Sequence, residues 1–285
     1  PEMEGWDRDK APWKPVRLGD KLYGRGGADD GYSIFSALTA IAACQKHGLP
    51  HAPCKILIEA SEESGSVDLP FYLEQMGEKL GTPDLVICLD SGCGNYNSLW
   101  STTSLRGMVS ADLSIELLKE GLHSGMASGI VPSWFHVLTQ LINKLEDPQT
   151  GLVHHPGLIS EIPSQHLQQA EVAAQILGPE FTKRFQFVDQ TKASHPNTAE
   201  LLLRQSWKSA ISVTGIEGVP GLENAGNVSL PKVTVKLSVR LPPSLDPNKA
   251  SQVIKETLEN QTPYQSKVTV SNMDSAPGWV APPLS

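Results

Sequence analysis

The chain has 285 residues, enough for roughly two domains and a sizeable buried core without disulfide or metal staples. Lys+Arg 23 against Asp+Glu 31 gives a formal net charge of -8, which argues against nucleic acid or an anionic membrane surface as the main partner. Hydrophobic residues at 39%, together with 24 Gly, exclude a disordered chain, a collagen and a disulfide-dense scaffold. No apolar run approaches the length of a membrane span, and the start carries no charged and apolar signal segment. The chain begins Pro1-Glu2-Met3, without an initiator Met at position 1, as a processed form or a fragment would. The cysteines Cys44, Cys54, Cys88 and Cys93 show no framework spacing. Cys88 lies inside the apolar run Leu85 to Leu89, so a buried reduced thiol and a cytoplasmic location are expected.

The first hundred residues alternate helix and strand signals. Ser33 to His47 repeats Ile34, Leu38 and Ile41 at helical spacing, and Gly48 and Pro50 stop it. Lys55 to Glu59 and Leu85 to Leu89 are short continuous apolar runs, with a helix expected between them over Leu69 to Leu80. Apolar runs separated by helices predict buried parallel strands with helical crossovers.

After Gly107 the pattern changes. Met108 to Leu117 alternates like a half-buried strand. Val131 to Leu145 predicts an amphipathic helix with Val131, Trp134, Phe135, Leu138, Leu141, Ile142 and Leu145 on one stripe and Pro132 in its first turn. Residues 146–206 are rich in Gln, His and Pro and read as an insertion with weak helices. Ala210 to Thr214 is a short strand. Lys232 to Leu241 alternates without a break, Val233, Val235, Leu237 and Val239 on one face. A helix over Asn248 to Asn260 and a strand over Ser266 to Val270 complete a β-α-β-β-α-β order, that of a ferredoxin-like unit. The expectation is therefore an α/β protein. Residues 1–105 form an incomplete parallel-sheet domain and residues 106–285 a second α+β domain.

Carboxylates recur at one kind of place. Asp29 and Asp30 follow the turn Gly24-Arg25-Gly26-Gly27 and precede a helix; Glu62 and Glu63 follow the first apolar run; Asp90 follows the second. Open parallel sheets gather ligand sites at the carboxyl ends of their strands, so these carboxylates are expected to converge. Converging carboxylates repel one another unless some stay protonated or a cation neutralises them. A divalent ion such as zinc, manganese or magnesium suits such oxygen donors. Solvated loop acids are the plainer alternative. His47 and His51 are four apart, but Gly48 and Pro50 break any helix that would align them.

These segments form an ordered series: Leu22 to Asp30, then Glu59-Ala60-Ser61-Glu62-Glu63-Ser64-Gly65-Ser66, then Leu89-Asp90, then Gly121-Leu122-His123-Ser124-Gly125. The series resembles the co-catalytic zinc metallopeptidases and deacylases, the family of carnosinase, cytosolic non-specific dipeptidase, carboxypeptidase G, acetylornithine deacetylase and succinyl-diaminopimelate desuccinylase. The resemblance runs along essentially the whole chain and is closest to the dipeptidase branch. It implies a zinc-peptidase catalytic domain followed by a lid/dimerisation domain, and a pair of zinc ions, with manganese an alternative. By this resemblance Asp29 bridges the metals, Glu63 and Asp90 each ligate one, and Glu62 is the general base. His123 stabilises the oxyanion across a homodimer, Arg240 holds the substrate's carboxylate, and Asn227 is a further polar substrate contact. The implied partners are a small peptide substrate and a second copy of the chain through the lid, with neither nucleic acid nor membrane.

The chain also departs from that pattern. The family's His-x-Asp motif is absent from the sequence, as is its final zinc-ligating His after the lid, and Gly31-Tyr32 stand where many relatives have Lys-Gly. The expectation is an internal piece of a dipeptidase, cut at both ends. Two alternatives stay open: an N-acyl amino acid deacylase of the same clan, and a catalytically inactive chain that serves dimerisation or binding.

Overall fold

The structure, a computed structural model, describes residues 5–282. The Pro1-Glu2-Met3 start and the Ser285 end, on which the truncation reading rests, lie outside the described residues. Two units divide the chain, Pro1–Tyr96 and Asn97–Ser285.

In the second unit the alternating patterns become a four-stranded antiparallel sheet. Its strands are β3 (Gly107–Glu116), β5 (Ala210–Glu217), β7 (Lys232–Leu241) and β8 (Lys267–Ala276), in the spatial order β8-β3-β7-β5. The first unit holds the hairpin β1 (Val16–Leu18) and β2 (Lys21–Tyr23), and the second also holds the short pair β4 (Leu122–His123) and β6 (Val228–Ser229). Because side chains alternate across a strand, one face of β7 delivers Val233, Val235, Leu237 and Val239 inward, and β3 delivers Val109, Ala111, Leu113 and Ile115 beside them. Full burial of a Leu, Ile or Val side chain contributes about 2 kcal/mol.

Two helices cover that face. Helix α9 (Pro247–Glu259) starts at Asp246, whose carboxylate accepts from the Asn248 and Lys249 amides at 2.8 and 3.3 Å, with Pro247 at the first position. It buries Ala250, Ile254 and Leu258, one turn apart. Its carboxyl end is closed by Lys144, whose Nζ donates to the carbonyls of Thr257, Asn260 and Gln261 at 3.2, 2.6 and 3.1 Å. Helix α5 (Trp134–Ile142) is shorter than the sequence pattern suggested. Ser133 is its extended N-cap, so Pro132 precedes the helix instead of lying in its first turn. Val137, Leu138 and Leu141 form its buried face, while Phe135, expected on that stripe, is exposed.

The chain order β3-α5-β5-β7-α9-β8 is the expected β-α-β-β-α-β. Between α5 and β5, residues 146–206 fold into a short hairpin with two residues in each strand and the helices α6 (Ser164–Leu177), α7 (Glu180–Lys183) and α8 (Thr198–Ser206).

The first unit departs further from expectation. Helix α1 (Ser33–Lys46) forms where its spacing placed it. The helix expected over Leu69 to Leu80 is split at Met76 into α2 (Leu69–Gln75) and α3 (Gly77–Leu80). Among the described residues the expected parallel sheet is not formed. Among the described residues of this unit, strand pairing is confined to the antiparallel hairpin β1-β2 and an isolated antiparallel bridge between Ala11 and Lys14. The runs 55–59 and 85–89 form no strand, and Ile58 and Ile87 are 64% and 71% exposed. A continuous apolar run becomes a strand only with neighbours on both edges and cover on both faces, and the described residues supply neither. For the same reason Cys88 is exposed rather than buried, though all four cysteines are free as expected.

Candidate active site

The carboxylates of the first unit sit on three separate turns. Asp29 and Asp30 close the glycine-rich turn before α1, and the peptide bond between them is cis. Gly31 follows in a tight place: its amide donates to the Gly26 carbonyl at 2.8 Å, and a Cβ there would lie 2.7 Å from that oxygen. Any larger residue at 31 would force the turn open. Tyr32 then donates its hydroxyl to the Ser91 carbonyl at 3.1 Å, tying the Asp29-Asp30 turn to the loop that begins at Asp90. The departure from Lys-Gly thus has a local structural role, one that only the folded chain reveals.

Glu62 and Glu63 lie in a 3-10 turn, Glu62–Ser64, rather than on extended backbone. The Gly65 amide donates to the Glu62 carbonyl at 2.7 Å, and Gly65 has φ 92°, a left-handed conformation that favours glycine. Although Glu62 is exposed, desolvation and then the charges of Asp90, Glu63, Glu59 and Asp29 raise its carboxyl above the ordinary range. Asp90 is raised likewise, by desolvation first and then by Asp30 and Asp29. The acids thus raise one another's carboxyls, yet they sit on separate turns and not at the ends of strands.

That field is not a metal centre by itself. The donors are carboxylate oxygens alone, and among the described residues no group of three or more His, Cys, Asp or Glu side chains could hold a metal ion. His47 and His51 are exposed and lie apart from these turns in sequence; the ring of His51 meets the carbonyl of Ala52 at 2.8 Å. The described residues do not fit a pair of zinc ions.

In the second unit His123 ends β4 and caps the short helix α4 (Ser124–Ala127). Its Nδ1 accepts from the Gly125 amide at 3.1 Å. A ring nitrogen that accepts carries no proton, so in the neutral imidazole the proton is on Nε2, which is left as a donor. A side chain at 125 would crowd this arrangement, since a Cβ there would lie 3.1 Å from the imidazole. Asn227 lies beside it: the Ser124 amide donates to the Asn227 carbonyl at 2.9 Å, and His123 pairs with Val228. A cleft of about 500 Å³ opens next to this pair, lined among others by Ser124, Trp134, His136, Val228 and Tyr264. Arg240 lies on the outer face of β7, exposed, opposite Met108 of β3 and Ala210 of β5.

The chain matches the peptidase family M20/M25/M40 over residues 1–279 and belongs to it. Among curated relatives it is similar to the probable di- and tripeptidase DUG2 of Saccharomyces cerevisiae, 25% identical over 93% of this chain and 29% of that protein. It is also similar to the Cys-Gly metallodipeptidase dug1 of Schizosaccharomyces pombe, 24% identical over 98% of this chain and 59% of that protein. Among solved structures, human carnosine dipeptidase 1 shares the fold with a TM-score of 0.69 at 23% identity, covering 98% of this chain and 60% of that one. The M20 family metallo-carboxypeptidase Sso-CP2 of Sulfolobus solfataricus gives 0.68 at 22% identity, over 91% and 59%. The chain therefore spans less than two thirds of the length of these relatives.

Proposed function

We propose that the enzyme carrying this chain hydrolyses the peptide bond of dipeptides or short peptides. The observation that carries the reading is the family match over residues 1–279, which takes in Asp29, Glu62, Glu63, Asp90, His123, Asn227 and Arg240 together. The names of the relatives, dipeptidases and tripeptidases, favour a peptide over an N-acyl amino acid as substrate.

Glu62 is assigned as the general base. It takes a proton from the water that attacks the scissile carbonyl, then delivers it to the leaving amine. Its carboxyl, raised by desolvation and then by the charges of Asp90, Glu63, Glu59 and Asp29, is suited to both receiving and returning that proton. His123 is assigned to the oxyanion. The Gly125 amide keeps Nδ1 an acceptor, so Nε2 presents a hydrogen to the developing charge. Arg240 is assigned to the substrate's terminal carboxylate, which its planar guanidinium can meet with paired hydrogen bonds, and Asn227 to a further polar contact. Asp29, Glu63 and Asp90 are this chain's proposed contribution to the metal dependence that the relatives' names carry. Residues 1–105 are read as catalytic-domain sequence and residues 106–285 as a lid through which a homodimer forms, with residues 146–206 inserted in it.

The test is Glu62→Gln in the full enzyme, assayed on a dipeptide panel beside acetylated and succinylated amino acids. Loss of kcat by at least about a hundredfold with metal content unchanged supports the assignment. Dipeptide turnover that survives overturns it, and preferential turnover of the acylated amino acids by the unaltered enzyme overturns the substrate class.

A further inference from the structure

Arg106 sits one residue before β3, at the end of the sheet where Arg240 lies. Gly107 is buried against the core side, so by alternation Arg106 and Met108 share the outer face. Met108 is the register partner of Arg240, which makes Arg106 and Arg240 diagonal neighbours within reach of long side chains. The Arg106 guanidinium is held in place. Its Nη1 donates to the carbonyls of Arg204 and Lys208 at 3.1 and 3.2 Å, closing the carboxyl end of α8. Those carbonyls flank the turn that leads into β5, whose first residue, Ala210, is the other register partner of Arg240.

Among the described residues neither guanidinium is in an ion pair. Burial and then the nearby charge of Arg240 bring Arg106 down to about 10. Two cations on one corner of a sheet, one clamped and one free, repel each other until an anion enters between them.

We propose that Arg106 is a positioning residue for Arg240, holding that guanidinium where it meets the carboxylate of the substrate. This rests on the assignment of Arg240 to that carboxylate. Arg106 keeps the Ala210–Arg240 register fixed through the Arg204 and Lys208 carbonyls, and its charge turns Arg240 outward toward the incoming anion.

The test compares alanylglycine with its C-terminal amide, alanylglycinamide, in the full enzyme. For Arg106→Met the KM for the acid is expected to rise about tenfold, the KM for the amide to change less than about twofold, and kcat to hold. Arg106→Lys, which keeps the charge and a donor, is expected to recover most of the loss. Equal KM changes for acid and amide, as a purely structural clamp would give, overturn the proposal; so does no change. Arg240→Met separates the two ways of failing. If it discriminates acid from amide and Arg106→Met does not, Arg106 loses its role while Arg240 keeps it. If neither variant discriminates, both assignments fall. A lowered melting temperature of Arg106→Met with the acid-specific KM rise intact still supports the proposal, because unfolding does not sort substrates by their carboxylate.

Discussion

Helix α9 in the second unit and helix α1 in the first are nearly equal in length, 13 and 14 residues, yet they differ in every source of stability. Helix α9 has an Asp246 cap, a proline at its first position, a lysine closing its far end and three buried residues. Helix α1 has no side-chain cap at Tyr32 and no buried residue at all. The same contrast holds for apolar runs. Lys232–Leu241 alternates and finds partners on both edges, β3 on one side and β5 on the other. Runs 55–59 and 85–89 do not alternate and find none among the described residues. Alternation encodes a strand that needs cover on one face only; a continuous run encodes one that needs cover on both.

The sharpest way to break this contrast is to truncate matched side chains in the two settings. Leu237, fully buried in β7, is expected to cost about 3 kcal/mol when changed to Ala, read from denaturant unfolding of the second unit's transition. Ile87→Ala, at a side chain 71% exposed, is expected to cost less than about 0.5 kcal/mol. A comparable loss at both sites would mean that the run 85–89 is packed in solution. Hydrogen exchange reads the same difference without mutation: amides of β3 and β7 are expected to exchange slowly, and those of 55–59 and 85–89 rapidly.

Closing the ends of α9 comes next in size. Lys144→Met removes three donations to carbonyls from a partly buried ammonium, whose pKa burial lowers. Its expected cost is about 2 kcal/mol, the range for hydrogen bonds made by a charged group. Asp246→Ala removes the cap at the other end, for about 1 kcal/mol. If Lys144→Met proves neutral, the carbonyls of Thr257, Asn260 and Gln261 are satisfied by water, and α9 is held by its apolar face alone.

How much of this could be read in the sequence follows the same division. The second unit was legible because its signals are local: period two in β3 and β7, and the amphipathic stripe of α5. Phe135 was misplaced because its neighbour Val137 turns inward, a choice made by packing rather than by hydropathy. The first unit was not legible as a fold, since the partners of a doubly covered strand are by nature remote in sequence. Its acidic residues stood out by their order along the chain, whereas their arrangement on turns was not legible. Tyr32 carried no signal; its bond to Ser91 spans 59 residues. His123 carried only the family motif, and the Gly125 amide that sets its tautomer is a backbone group with no letter of its own.

The smallest predicted effect separates two acids within the second unit. Glu200 is partly buried, which alone would raise its carboxyl. Hydrogen bonds from Lys208 and Arg204, at 2.8 and 2.9 Å, outweigh that and hold it below its ordinary value of 4.5. A lowered folded-state value means that the unfolded chain binds more protons in that window. The stability Glu200 contributes is thus present above pH 4.5 and fades as the pH falls through the folded-state value. Glu146 runs the other way. Burial raises its carboxyl, opposed only by a hydrogen bond from the Ile211 amide, so its contribution is present below 4.5 and fades as the pH rises through its raised value. Denaturant unfolding between pH 3 and pH 7 should therefore show opposite changes of slope in Glu200→Gln and Glu146→Gln: removing Glu200 flattens the rise of stability with pH, and removing Glu146 steepens it. Each difference is expected to stay within about 1 kcal/mol, the scale of partly exposed charge interactions. Slopes that change in the same direction would mean that one of the two carboxyls is not where this fold puts it, and Arg204, whose carbonyl also anchors Arg106, makes the Glu200 environment the first to examine.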